Sequence, residues 1–243
     1  MSGIGTAIER LATLRKERTV DEDVNKVWYL RQNRLFAEAA GEGLLEHEHL
    51  FTMCEMPRGT LVFDAGDSER VVYFVKRGTV RIVRETADGK EVAVALLGPG
   101  DLFGEESLFD RRPRTTHAVV IDDALLCTAR ADDLFGLLSR DPALALNVAR
   151  VLSERLDDAR STMEDLAYAR VSDRIENLYR KLAPEHGVRV AGGTRVDIRL
   201  THADVASLVG STRETVSVEM GKLIEAGRLR MDGRAVVVPD QRS

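Results

Sequence analysis

Apolar positions along the chain change period more than once, and each change marks a different kind of element. Ile4, Ile8, Leu11 and Leu14 recur at helical spacing in a charged stretch, which predicts an amphipathic helix over residues 1–26 and a second helical stretch over 26–50. From Met53 that period is lost. Short apolar runs punctuated by glycine take over: TLVFDAG, RVVYFVKRGTVRIVRE, TADGKEVAVALLGPGDLF and HAVVIDDALLCTARA. Val80, Ile82 and Arg84 alternate with Arg81 and Val83, Asp88-Gly89 is a hairpin signal, and Gly59, Gly66, Gly78, Gly89, Gly98 and Gly100 sit where turns are expected. Many short strands at this spacing predict an antiparallel roll or barrel.

After Asp132 the helical period returns. DDLFGLLSR is a short helix that Asp141-Pro142 ends, and residues 143–170 form a long one, roughly 42 Å from end to end. Ala145, Val148, Leu152, Leu156, Ala159, Met163 and Leu166 make a narrow apolar seam opposite a polar face of Glu154, Arg155, Asp157, Asp158, Arg160 and Glu164. The seam must be covered either by the chain's own roll or by a second copy, and self-pairing is the more economical arrangement. A helix over 171–182 follows, then PEHGVRVAGGTRVDIRL, which reads as a polar connection, and then two short helices.

Those two lie in THADVASLVGSTRETVSVEMGKLIEAG, whose parts fit a helix-turn-helix. Thr201 and Asp204 form a capping box, Ala206 is small where two helices cross, Gly210 supplies the turn, and Ser211 with Glu214 starts the next helix. Val205, Leu208 and Val209 with Val216, Met220, Leu223 and Ile224 can make one small core. Arg213, Glu214 and Ser217 then face outward at the start of the second helix, where side chains can reach base edges in a major groove. Arginine suits the two acceptors of guanine, and a carboxylate accepts from the cytosine amino group. GRLRMDGRAVVVPD behind it reads as a β-hairpin wing around Asp232-Gly233.

Charge sharpens this picture. Of the formal net charge of −5, the part from residue 171 onward carries +2 and the part before it −7, so the C-terminal part is the one able to approach a phosphate backbone. With 44% hydrophobic and 31% charged residues, no apolar run approaching the roughly 18 residues of a membrane span and no secretion signal, the expectation is a soluble cytoplasmic protein. Cys54 and Cys127 are too few for a disulfide framework or a cysteine-held metal, and no metal is expected.

Three phrases in this order and spacing, LLGPGDLFGE, GEESLFDRRPRT and VGSTRETV, resemble the cyclic AMP receptor protein family of transcription regulators, the CRP/FNR superfamily, over residues 35–239. The resemblance implies an α+β architecture: a cyclic-nucleotide-binding-like antiparallel β-roll, a long dimerisation helix and a C-terminal winged helix-turn-helix. Its expected divisions are an N-terminal extension over 1–26, a sensor over 27–142, the dimer helix over 143–170 and a DNA-binding domain over 171–243. It further implies cyclic AMP as effector, with Glu105 accepting from a ribose hydroxyl, Arg114 and Thr115 holding the cyclic phosphate, and backbone N–H groups of Gly104, Glu105, Glu106 and Ser107 assisting. Partners implied are double-stranded DNA with a two-fold symmetric site, a second copy of the chain, and RNA polymerase.

Three positions depart from the family pattern. Thr116 replaces a usual alanine, Ala159 and Arg160 stand where a Thr-Ser pair meets the adenine, and Val218 stands where the recognition helix usually carries a further basic residue. Arg160 thus becomes a candidate effector contact, and the operator is expected to differ at the step facing Val218. Thr201 and Thr212, at the two helix starts, are expected to touch phosphates.

Other readings remain at this point. Glu105 and Arg114 could be an ion pair bracing the roll, and a regulator of this fold could be competent without effector or respond to another ligand. Gly41, His47 and His49 satisfy the first half of a cupin metal motif, but Glu55 is one place too far, no second histidine cluster follows and the stretch reads as helical, while His117 could serve as a haem ligand. No Ser-His-Asp set, Walker loop or zinc spacing is present, and no catalysis is expected.

Overall fold

The computed structural model describes Phe36, residues 47–87, Gly89 and residues 91–240, the side chain of Glu185 excepted. The helices expected over 1–26 and most of 26–50 lie outside the described residues. The chain divides into two compact units, Met1–Ile82 with Leu96–Arg155, and Val83–Ala95 with Leu156–Ser243.

Strands β1 (Phe51–Met56), β2 (Leu61–Phe63), β3 (Val71–Glu85), β4 (Glu91–Leu97), β5 (Leu102–Phe103) and β6 (His117–Arg130) form one sheet in the order β1-β6-β3-β4, with β2 on β6 and β5 on β3. The β1/β6, β2/β6 and β3/β5 ladders are antiparallel. Gly78 is not at a turn. It lies inside β3 at φ 82°, where an added Cβ would come within 2.3 Å of the Asp123 carbonyl, so only glycine lets β3 pass that close.

Two aromatic groups fill the first unit. Phe36, Phe51 and Phe74 meet at centroid distances of 5.4–6.0 Å, and Phe63, Tyr73 and Phe103 at 4.9–6.0 Å. The first group joins the buried residues of α2 (Ala131–Arg140) and the start of α3 (Pro142–Tyr168) in one core. Proline cannot extend α2, and Asp141 turns the break into a new start by accepting from the amides of Ala143 and Leu144.

Along α3 the expected seam divides. Leu144, Val148 and Val151 are buried in the core of the first unit, whereas Leu156, Met163 and Leu166 are 52%, 68% and 46% exposed. The chain's own packing covers only the N-terminal part of the stripe.

The second unit packs α4 (Val171–His186), α5 (His202–Val209) and α6 (Arg213–Glu225) with a sheet in the order β7-β8-β10-β9. The helix expected over 171–182 runs a turn further, through Pro184. The stretch read as a polar connection is instead a hairpin of β7 (Gly187–Val190) and β8 (Gly193–Val196), and β10 (Ala235–Pro239) pairs with β8 and with β9 (Arg230–Asp232). Its exposed outer strand, with a short Val-Arg-Val alternation, gives little hydrophobic signal, which is why a sequence reading passes over it. Val205, Val209, Val216, Met220 and Leu223 form the expected small core with Tyr179 and Val237 also buried, but Ile224 is 36% exposed. No helix among the described residues is long and apolar enough to cross a membrane.

Candidate effector cradle and DNA-reading helix

The sensor cassette starts where β5 ends. Gly104 takes φ 77°, and a Cβ there would meet the Val71 carbonyl at 2.7 Å and Arg114 Nη1 at 3.0 Å. Glycine is therefore what lets the Arg114 guanidinium lie against the backbone. Glu105 then precedes the single turn α1 (Glu106–Phe109), its side chain making no cap hydrogen bond. Ser107 is buried, and its amide and hydroxyl both donate to Gly104 O, at 3.1 and 2.6 Å, so its donors hold the turn itself. Arg70 donates from Nε and Nη2 to Ser107 O and pairs with Asp132, fixing the turn from behind.

Arg114 is buried, with 5% of its surface exposed. Its guanidinium lies 3.9 Å over the Phe63 ring, and Nη2 donates to Val71 O at 2.6 Å and Glu69 O at 3.2 Å. Nη1 donates to Glu106 Oε1 at 2.7 Å. Arg114 Nε is buried without a hydrogen-bond partner among the described residues. A buried guanidinium donor left unused is costly, and Nε is available to a further acceptor. Both carboxyl oxygens of nearby Glu69 are also buried without a hydrogen-bond partner among the described residues, and burial, with Asp67 adding, pushes that carboxyl up against the opposing pull of Arg114 and Arg130.

The brace expected between Glu105 and Arg114 is built differently. Arg114 pairs with Glu106, while Glu105 Oε1 accepts from Arg155 Nη1 at 2.9 Å, and Arg155 Nη2 donates to the Leu102 carbonyl. Spacing alone puts Arg155 on the polar face of α3. The sequence carries no signal for its reach, since its partner lies 50 residues away. Thr115 is exposed and Thr116 half-buried beside Arg114. His117 Nδ1 sits 2.6 Å from Asp64 Oδ1. Arg160 is exposed on α3 and donates to Asp157 one turn back.

At the other end, Thr201 Oγ1 accepts from the Asp204 amide and donates to Asp204 Oδ2, and Asp204 Oδ2 also accepts from Thr201 N, a complete capping box. Gly210 ends α5 at φ 60°. The next helix is capped by Thr212 rather than Ser211, its hydroxyl accepting from Thr215 N at 3.2 Å. Val216, Met220 and Leu223 face inward, leaving Arg213, Glu214 and Ser217 exposed together at the N-terminal end of α6. Thr201 and Thr212 are exposed as well, with their hydroxyls committed to the caps.

A β-roll with an arginine-bearing glycine turn, carried with a winged helix-turn-helix, defines the class: a sensor-type transcription regulator that binds DNA. Residues 53–141 match the cyclic nucleotide-binding domain, and residues 169–243 the Crp-like helix-turn-helix domain. Over 186 residues the chain is 33% identical to a CRP-like cAMP-activated global transcriptional regulator of Mycobacterium tuberculosis, covering 76% of this chain and 83% of that one. It is 36% identical over 182 residues to the cyclic AMP receptor protein of Thermus thermophilus, covering 75% and 81%. The solved structure of the c-di-GMP responsive global regulator CLP of Xanthomonas campestris is similar with a TM-score of 0.70 at 28% identity, covering 83% of this chain and 100% of that one. The chain belongs to the CRP/FNR family of transcription regulators, whose members matched here regulate transcription and are not enzymes.

Proposed function

We propose that this protein is a homodimeric cytoplasmic regulator whose β-roll binds a cyclic nucleotide, cyclic AMP first among them, and whose paired α6 helices read a two-fold symmetric DNA site. The observation that carries the effector reading is the buried Arg114 guanidinium with its unused Nε donor beside Gly104. Arg114 and Thr115 hold the phosphate, Glu105 accepts from the ribose, and Thr116 adds a hydroxyl. Both relatives above carry cyclic AMP in their names, which supports that choice.

The exposed apolar seam at Leu156, Met163 and Leu166 supports self-pairing along α3. In such a dimer Arg160 comes to face the effector's base, and the two recognition helices enter successive major grooves roughly 34 Å apart. Effector binding acts by population shift, favouring the dimer whose helices match that spacing, with RNA polymerase the partner acted upon. Residues 27–142, 143–170 and 171–243 are then the sensing, pairing and reading parts.

Calorimetry with cyclic AMP, followed by operator titrations with and without it, tests the switch. Binding heat and a shift in DNA affinity are expected, both absent in Arg114→Leu. A silent titration and an unchanged operator affinity remove cyclic AMP from the account.

One observation favours a second reading, a regulator competent without effector. Glu106 already supplies Arg114 with an anion from within the chain, so the roll can hold its charge balance unaided.

A further inference from the structure

The outward face of α6 carries one residue that no donor-and-acceptor reading accounts for. With Val216, Met220 and Leu223 pointing inward, the opposite side of a helix advancing about 100° per residue is made by Glu214, Val218, Gly221, Lys222 and Glu225, with Ser217 on its flank. Val218 is 58% exposed near the centre of that side. Gly221, one turn on, presents no side chain, and nothing lies within 4 Å of where its Cβ would be. The face is therefore polar at its start, apolar at Val218 and bare at Gly221 beside it, with Lys222 and Glu225 following, so a groove floor can come close to Val218.

Valine at an exposed helix position gains nothing from helix propensity, and its χ1 is nearly fixed in a helix. That makes it a poor solvent-facing residue and a well-defined apolar surface. Among the four bases only thymine presents a methyl group in the major groove. We infer that Val218 is a specificity-determining residue that packs on a thymine 5-methyl group of the operator, within about two base pairs of the pair read by Glu214, one helical turn or roughly 6 Å away. The inference rests on the proposal that α6 is the reading helix, and it adds which base the helix demands and by which atom.

The test uses the full-length protein. A preferred site is selected from a randomised duplex library, and each thymine of the half-site is replaced in turn by deoxyuridine, which removes the methyl group and nothing else. At one position wild-type affinity should fall roughly fourfold for one half-site and roughly fifteenfold for both. Val218→Ala, at an exposed position that leaves the fold intact, should bind the thymine duplex with a similar deficit and ignore the replacement. A loss that persists undiminished in Val218→Ala, or no position sensitive to the methyl group, overturns the inference while leaving α6 as the reader. If no site is enriched at all, the reading-helix proposal fails and the inference with it.

Discussion

Replacing Glu106 by glutamine separates the two readings of the sensor. Glu106 Oε1 is 2.7 Å from Arg114 Nη1, and the two side chains differ in environment: the arginine is 2% exposed, the glutamate 49%. Solvent screens the pair from one side, so its worth lies between that of a surface ion pair and a buried one, about 1–1.5 kcal/mol. A phosphate that takes over Nη1 forfeits that energy. Removing the carboxylate should therefore tighten cyclic AMP binding roughly five- to twelvefold, and the gain should shrink as salt is raised from 0.15 M toward 1 M. Arg114 keeps its bonds to Val71 O and Glu69 O, so the fold should survive. The assay is calorimetric titration of wild type, Glu106→Gln and Glu106→Ala. Glutamine retains an acceptor oxygen and alanine does not, so the alanine variant should bind at least as tightly. Equal affinity in all three would show that Glu106 does not compete with the ligand, and binding by none would leave the effector-independent reading standing.

Arg213→Ala should cost about 1–3 kcal/mol on the selected operator and much less on random duplex; equal losses in an electrophoretic titration would mean that Arg213 touches only phosphate. Burial lowers the Lys76 ammonium to about 8, against its ordinary 10.5. Between those values the unfolded chain holds a proton the folded one has released, so stability should rise with pH across that window. Lys76 Nζ is buried although the residue as a whole is half-buried, which puts the effect at about 1–2 kcal/mol. In Lys76→Met that rise should vanish from urea midpoints at pH 8 and 10, and an unchanged slope would refute the assignment. Gly78→Ala should destabilise the protein by about 2–3 kcal/mol in chemical denaturation, because its Cβ has no room against Asp123 O at a left-handed φ; a stability within 0.5 kcal/mol of wild type would contradict the strand geometry.

What could be read from the chain were features written in neighbouring residues. The break at Asp141-Pro142, the capping box of Thr201 with Asp204, the Gly210 turn and the inward set of α5 and α6 all follow from spacings of one to four residues. The resemblance of GEESLFDRRPRT to a known cassette supplied the rest of the sensor reading. Short-range chemistry misleads where a local rule has a competitor: Gly78 has the look of a turn glycine, yet serves a close strand approach, and the Ser211–Glu214 spacing points to a helix start that Thr212 caps one residue on.

Sequence by itself determined the succession of roll, long helix and helix-turn-helix, though not the β7-β8 hairpin, together with the outward placement of Arg213, Glu214 and Ser217 and the charge asymmetry between the two ends. Tertiary structure alone decided that Arg114 rests on Glu106, that Arg155 turns from solvent to hold Glu105, and that the α3 seam is covered at Val148 and open at Met163. Periodicity is set by bonds and sterics within one turn or one strand pair, whereas the choice among several carboxylates for a buried guanidinium depends on which of them the packed core brings within reach.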